Sequence, residues 1–197
     1  MKQLDAQIAE FSAQLKSEVG IDGETSSKLA TTVAAELRFL PVEAKNEILQ
    51  ATPVDIEARL SELTAFQLFM DQVRASARAH PAVVRAQVLY QNYVCFVYLG
   101  EALFRVLAKS APPDSASRKC ARFLTDNPIR AFRNAFAHGN WCYRKDFTGL
   151  VFWARKGSDP SEPLTRFEVE QSTLNFWQLL ARGVAYAAYP HLSAGAG

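Results

Sequence analysis

Three cysteines, three histidines and no apolar run of 18 residues set the first limits on this 197-residue chain. Cys95, Cys120 and Cys142 are odd in number and widely spaced. That pattern argues for reduced thiols, and against both a disulfide scaffold and a zinc site. With so few His residues and no close His/Cys/carboxylate grouping, neither a metal nor another cofactor is expected. The missing apolar run excludes an expected membrane span. Met1-Lys2-Gln3-Leu4-Asp5 opens into a mixed polar stretch and not into an apolar signal core, and the reduced thiols make the cytoplasm the expected location. Nine Gly and nine Pro are too few for a low-complexity or collagen-like chain.

What is present is an ordinary globular composition, 49% hydrophobic and 21% charged, in a chain long enough to bury a real core. The formal net charge of +2 says little by itself, but its distribution says more. Between Arg118 and Lys145 stand seven basic residues (Arg118, Lys119, Arg122, Arg130, Arg133, Arg144 and Lys145) and one acid, Asp126. The rest of the chain holds 15 basic and 19 acidic residues. A basic focus in an otherwise acidic protein fits phosphate attraction, and a solvated charged face fits it too.

The periodicity predicts a mainly α protein. Leu4, Ile8, Phe11, Leu15 and Val19 mark a helix over residues 3 to 19, closed by Gly20. Further helices are expected over about 27 to 40, 42 to 50 and 53 to 79, the last with Ile56, Leu60, Leu63, Phe66, Met70 and Val73 on its buried side. Ala79-His80-Pro81 breaks it. Residues 82 to 109 carry the longest apolar pattern and read as a central helix, crossed by a polar stripe of Gln87, Gln91, Tyr98, Glu101 and Arg105. Residues 110 to 117 are a linker, and 117 to 125 a short basic helix. Trp141, Tyr143 and Leu150-Val151-Phe152-Trp153 flank a Gly-containing turn and predict a hairpin over 141 to 155, with a possible third strand at Leu164 to Val169. The aromatic residues of that hairpin fit core packing better than a base-stacking platform. A last helix is expected over 173 to 188. The expected architecture is an up-and-down helical bundle with a small β-hairpin inserted before the last helix. Its parts are an N-terminal helical extension (1 to 55), a core (56 to 190) and a disordered tail (191 to 197).

One stretch stands apart, Asn127-Pro128-Ile129-Arg130-Ala131-Phe132-Arg133-Asn134-Ala135-Phe136-Ala137-His138-Gly139-Asn140-Trp141. Asp126 or Asn127 can cap a helix here, Pro128 suits its first position, and Gly139 suits its left-handed closure. Ile129, Phe132 and Phe136 form an apolar stripe, while Arg130, Asn134 and His138 share another face. Arg133 lies about 140° from His138 on an ideal helix, so geometry makes Arg130 a credible helper. Arg133-Asn134-Ala135-Phe136-Ala137-His138 matches the R-N-x-x-x-H signature of HEPN domains (higher eukaryotes and prokaryotes nucleotide-binding). With the Gly139-Asn140-Trp141 and aromatic hairpin that follow, the chain resembles the branch of that family found on plasmids and mobile elements. The resemblance covers roughly residues 60 to 190.

The chemistry of these residues is compatible with metal-independent RNA cleavage. At a helix C-terminus the partial negative charge favours the imidazolium form of His138, which suits a proton-transfer group near neutral pH. Arg133 presents a donor fork that fits phosphate oxygens. Asn134 can fix the tautomer of the ring or hold a substrate oxygen. Catalytic roles are therefore expected for Arg133, His138 and Asn134, and substrate-binding roles for Arg130, Glu101, Arg144 and Lys145. For Glu101, orienting an arginine of the signature helix and forming an ordinary ion pair both remain open. Cleavage needs a base and an acid, and His80 beside Pro81 and His191 in the tail are poorly placed to supply the second. A symmetric homodimer would bring two signature helices together, and HEPN ribonucleases resemble this. The resemblance thus implies an endoribonuclease, a toxin or defence effector, with RNA as substrate and an antitoxin or regulatory protein as a further partner. The alternative is a non-catalytic HEPN module that binds nucleotide, RNA or a partner protein.

Overall fold

The computed structural model describes residues 2–51, 68, 81–146, 148–155, 159 and 161–193. Helix α1 (Lys2–Gln14) ends in a widened π turn, Leu15–Val19, and Gly20 closes it in the left-handed region. Thr25 caps α2 (Ser26–Glu36) by accepting the Lys28 N–H at 3.3 Å, and a 3-10 turn, Leu37–Phe39, follows. Then come α3 (Val42–Ala51) and the long α4, which runs without a break from Pro81 to Ser110. Two π segments, Tyr93–Tyr98 and Gly100–Phe104, widen α4, with Leu99 N–H bonded to Val94 O and Arg105 N–H to Gly100 O. Such segments recur at functional sites in helices. Helices α5 (Ala116–Thr125) and α6 (Ile129–Ala137) follow, then strands β1 (Trp141–Tyr143), β2 (Gly149–Ala154) and β3 (Thr165–Glu170), and finally α7 (Gln171–Ser193).

The fold is mainly α with a small antiparallel sheet before the last helix. The sheet has three strands in the order β1-β2-β3, so the third strand completes what the hairpin begins. Trp141 pairs with Phe152, and Phe152 with Phe167, which sets an aromatic row across the sheet. Gly149 is required at its place, because a Cβ there would run into the Val169 carbonyl oxygen.

Phe132 of α6, with no exposed surface, sits at the centre of the core. It meets Phe96 of α4, Phe152 of β2 and Trp177 of α7 edge-on, at ring-centre distances of 5.5, 5.2 and 5.7 Å. Phe11, Leu15, Leu29, Val33, Leu37 and Ile48 belong to the same continuous apolar cluster. Residues 2–51 therefore help close the core that holds α6, and are more than an extension appended to it.

The tail expectation also needs correction. Residues 191 to 193 belong to α7, and Leu192 is buried at 2% exposure. Pro190 removes one backbone donor there, but burial of Ala188 and Leu192 holds the last turn in place. Residues 194 to 197 lie outside the described residues. So does the helix expected over 53 to 79, apart from Leu68, and so does His80. Among the described residues no helix is long and apolar enough to cross a membrane.

Candidate functional site

Helix α6 forms because one face is almost continuously apolar. Ile129, Ala131, Phe132, Ala135 and Phe136 are all buried, while Arg130 and His138 are exposed and Arg133 and Asn134 half-buried. Its start differs from expectation. Pro128 occupies the cap position itself, after a cis Asn127–Pro128 peptide bond, and no side chain caps the helix. The Asp126 carbonyl accepts the Arg130 N–H at 2.9 Å, while the Asp126 N–H closes α5 on Arg122 O. Asp126 thus serves both helices through its backbone, which leaves its side chain no capping role. At the far end Gly139 takes φ 70°, and Asn140 N–H reaches back to Ala135 O at 2.8 Å. This left-handed closure matches the expectation for Gly139.

The Arg133 side chain is fixed from two sides. Its Nη1 donates to Glu101 Oε1 of α4 at 2.6 Å. Its Nε and Nη2 donate to Asn134 Oδ1 at 3.3 and 3.2 Å. Glu101 also faces Arg105 Nε at 3.6 Å, and Arg105 reaches Glu47 of α3 at 3.8 Å. The result is a chain of alternating charge, Glu47–Arg105–Glu101–Arg133, ending on the Asn134 amide. Gly100 lies beside this side chain, where a Cβ would sit 3.7 Å from Arg133 Cδ in ordinary van der Waals contact, so the approach of α6 does not depend on glycine there. Glu101 thus forms an ion pair with Arg133, a contact common to both roles open to it. Of five guanidinium donors, three are engaged among the described residues, which leaves two to meet a ligand there.

His138 ends α6 as its cap residue, with its backbone N–H on Asn134 O at 3.2 Å. Its ring is exposed and makes no hydrogen bond or ion pair among the described residues. Asn134 gives its side-chain oxygen to Arg133 and none of its hydrogen bonds to the imidazole. The tautomer-fixing role considered for Asn134 is thus replaced by an arginine-positioning one. Arg130 is exposed and likewise unpartnered among the described residues. His191 lies exposed in the last turn of α7.

Arg144 is committed to the sheet. Gly149 pairs with Glu170, and the Arg144 N–H bonds Gly149 O at 3.0 Å, so the side chain lands among acids. Nη1 forms a very short contact with Glu170, Asp146 lies 3.6 Å away and Glu168 3.9 Å. The Glu170 bond, chiefly, pushes the guanidinium further up from its already high value. Three carboxylates leave Arg144 little net charge for a phosphate, contrary to the binding role expected from sequence. Lys145, in the following turn, is exposed and free of such partners among the described residues.

Arg85 of α4 escaped the sequence reading. Its guanidinium lies 4.5 Å above the centre of the Trp141 ring, which in turn stacks on Phe136 at 4.6 Å with an 11° tilt. A cation is thereby held beside the end of α6 that carries His138. No spacing in the sequence announces this, because the contact joins residues on α4 and β1 that only tertiary packing brings together. Trp141 itself is 4% exposed and Phe152 1%, so these hairpin aromatics are core. No family model, curated protein or solved structure matches the chain.

Proposed function

We propose that this protein is a metal-independent endoribonuclease of HEPN type that acts as a homodimer. The observation that carries the reading is on α6: an arginine held by Glu101 and Asn134, followed five residues later by an exposed histidine with no described partner. In the proposed reaction the ribose 2′-oxygen attacks the adjacent phosphorus and gives its proton to one imidazole. The bond from phosphorus to the 5′-oxygen breaks, and a second imidazole in its protonated form returns a proton to that oxygen. The products are a 2′,3′-cyclic phosphate and a free 5′-hydroxyl. The two free donors of Arg133 stabilise the charge that builds on the phosphorus oxygens. Arg130 and Lys145 attract the substrate backbone.

A single His138 cannot be base and acid at once, so the reading requires a two-fold pair of α6 helices. Uncontrolled cleavage would degrade the RNA of the host cell. The proposal therefore includes a toxin or defence role with a regulatory protein, of antitoxin type, that covers the site.

A second reading has an observation of its own. Arg133 already satisfies Glu101 and Asn134, and no hydrogen bond joins it to His138. A module that binds nucleotide, RNA or a partner protein without cleaving needs no more than this. Purified wild type and His138→Ala, incubated with mixed RNA in EDTA and analysed for product ends, separate the two. Cleavage by wild type alone with cyclic phosphate ends supports the enzyme. Two folded proteins that both leave RNA intact would reject it in favour of the binding module.

A further inference from the structure

We infer that the outward face of α5 is a docking surface for the phosphate backbone of RNA, separate from the Arg133–His138 pair. The inference rests on the RNA reading of the proposed function and extends it to a second region.

The seven cations between Arg118 and Lys145 do not share one fate. Arg133 and Arg144 are engaged by carboxylates. Arg118 and Lys119 are held by backbone carbonyls instead: Arg118 Nη1 donates to Ala111 O at 3.2 Å, and Lys119 Nζ to Gly20 O at 3.3 Å. Arg122 is exposed, and its side chain makes no hydrogen bond or ion pair among the described residues. A carbonyl orders a cation without cancelling its charge, whereas a carboxylate does both. Arg118 and Lys119 are therefore positioned, and none of the three α5 cations is paired with a carboxylate among the described residues, which is what a phosphate-binding surface needs.

They also converge. Arg118, Lys119 and Arg122 line one shallow cleft of about 260 Å³ with Pro113 and Asp114. Arg122 stands three and four residues after Lys119 and Arg118, the two spacings that make it a neighbour of both on the helix surface. Asp114 is the one acid in the lining, and it forms no salt bridge with any of the three. The helix N-terminus does not enter the argument. Its amide groups are already taken by Glu36, at 2.8 Å to Ala116 N and 2.7 Å to Ser117 N, and by Ser115.

The opposite face of α5 is fixed in the core through Cys120, Ala121 and Leu124, so only the basic face is on offer. Among the described residues from Ala111 to Arg130 no large hydrophobic side chain is exposed. A membrane-binding helix would need such residues to insert, so the surface fits a hydrated polyanion better than a lipid bilayer.

The test measures binding of a labelled single-stranded RNA in EDTA, on a His138→Ala background that spares the probe, across about 50 to 200 mM salt. Arg118→Gln/Lys119→Gln/Arg122→Gln is compared with Lys28→Gln/Arg38→Gln/Lys109→Gln, an equal loss of charge elsewhere. The slope of log affinity against log salt should fall by about 2 in the α5 variant, roughly 0.7 per lost phosphate contact, and stay near wild type in the other. If the triple variant does not fold, Arg122→Gln alone should lower the slope by about 0.7. An unchanged slope, no RNA binding by the parent protein, or capture of anionic phosphatidylglycerol vesicles in place of RNA would overturn the inference, whether or not wild type cleaves. A reduced slope in a protein that never cleaves would uphold the surface and remove the ribonuclease.

Discussion

Removing the negative charge of Glu101 should release Arg133 from α4 at a small and measurable cost in stability. Glu101→Gln keeps the size of the side chain and one acceptor oxygen, and deletes the charge facing Arg133 Nη1 at 2.6 Å and Arg105 Nε at 3.6 Å. In a dry interior such a contact would be worth several kcal/mol, but these groups are wet: 28% of the Arg133 side chain and 52% of that of Glu101 are exposed. Solvent screening brings the expected coupling between them down to about 0.2–1 kcal/mol. The assay is a double-mutant cycle of Glu101→Gln and Arg133→Gln, each variant unfolded in urea. For a domain of this size about 1 kcal/mol corresponds to roughly 2–4 °C in melting temperature, so heat and urea cross-check each other. A coupling energy indistinguishable from zero would show that Glu101 does not hold Arg133 in solution. A value above about 2 kcal/mol would show the pair to be far less hydrated than its exposure indicates.

Phe132→Ala should lower stability by about 3–5 kcal/mol, read from urea unfolding, because the ring is fully buried among Phe96, Phe152 and Trp177. A loss below about 1 kcal/mol would mean that these rings close the gap on their own. Gly149→Ala should destabilise by at least 1–3 kcal/mol, roughly the range for overpacking, since its methyl group meets backbone at Val169 and Glu170. A wild-type melting temperature in that variant would contradict the register of β2 and β3. Burial pushes the thiol of Cys95 up to about 11 and that of Cys120 to about 12, from a usual 9.0. Both raised values favour the neutral thiol in the folded state. Their contribution is complete below pH 9 and is lost as the pH rises from there towards 11 and 12, so unfolding free energy should decline across that window. Flat stability from pH 9 to 11 in wild type, relative to Cys95→Ala/Cys120→Ala, would refute the assignment.

The parts of this protein legible in its sequence are those set by local pattern. The i, i+3, i+7 stripe of Ile129, Phe132 and Phe136 specifies which face of α6 is buried, because burial follows directly from helical periodicity. Gly139 specifies where the helix closes, because few other residues accept φ 70°. Charge partners are a different matter. Nothing local says which of Arg130 and Arg133 meets a carboxylate, yet Arg133 is bound by Glu101, 32 residues earlier, and the Arg130 side chain has no partner among the described residues. Likewise Arg144 reads as one more cation of a basic stretch until the register of β2 with β3 sets Glu168 and Glu170 beside it. Arg85 was invisible for the same reason, since its partner Trp141 lies on β1. Sequence thus locates the cations of a site well and their net charge poorly, because neutralisation depends on which acids the tertiary fold delivers. It follows that the formal +6 of the stretch overstates the field around Arg133 and Arg144. The same stretch understates α5, where Arg118 and Lys119 are anchored by carbonyl oxygens that leave their charge intact.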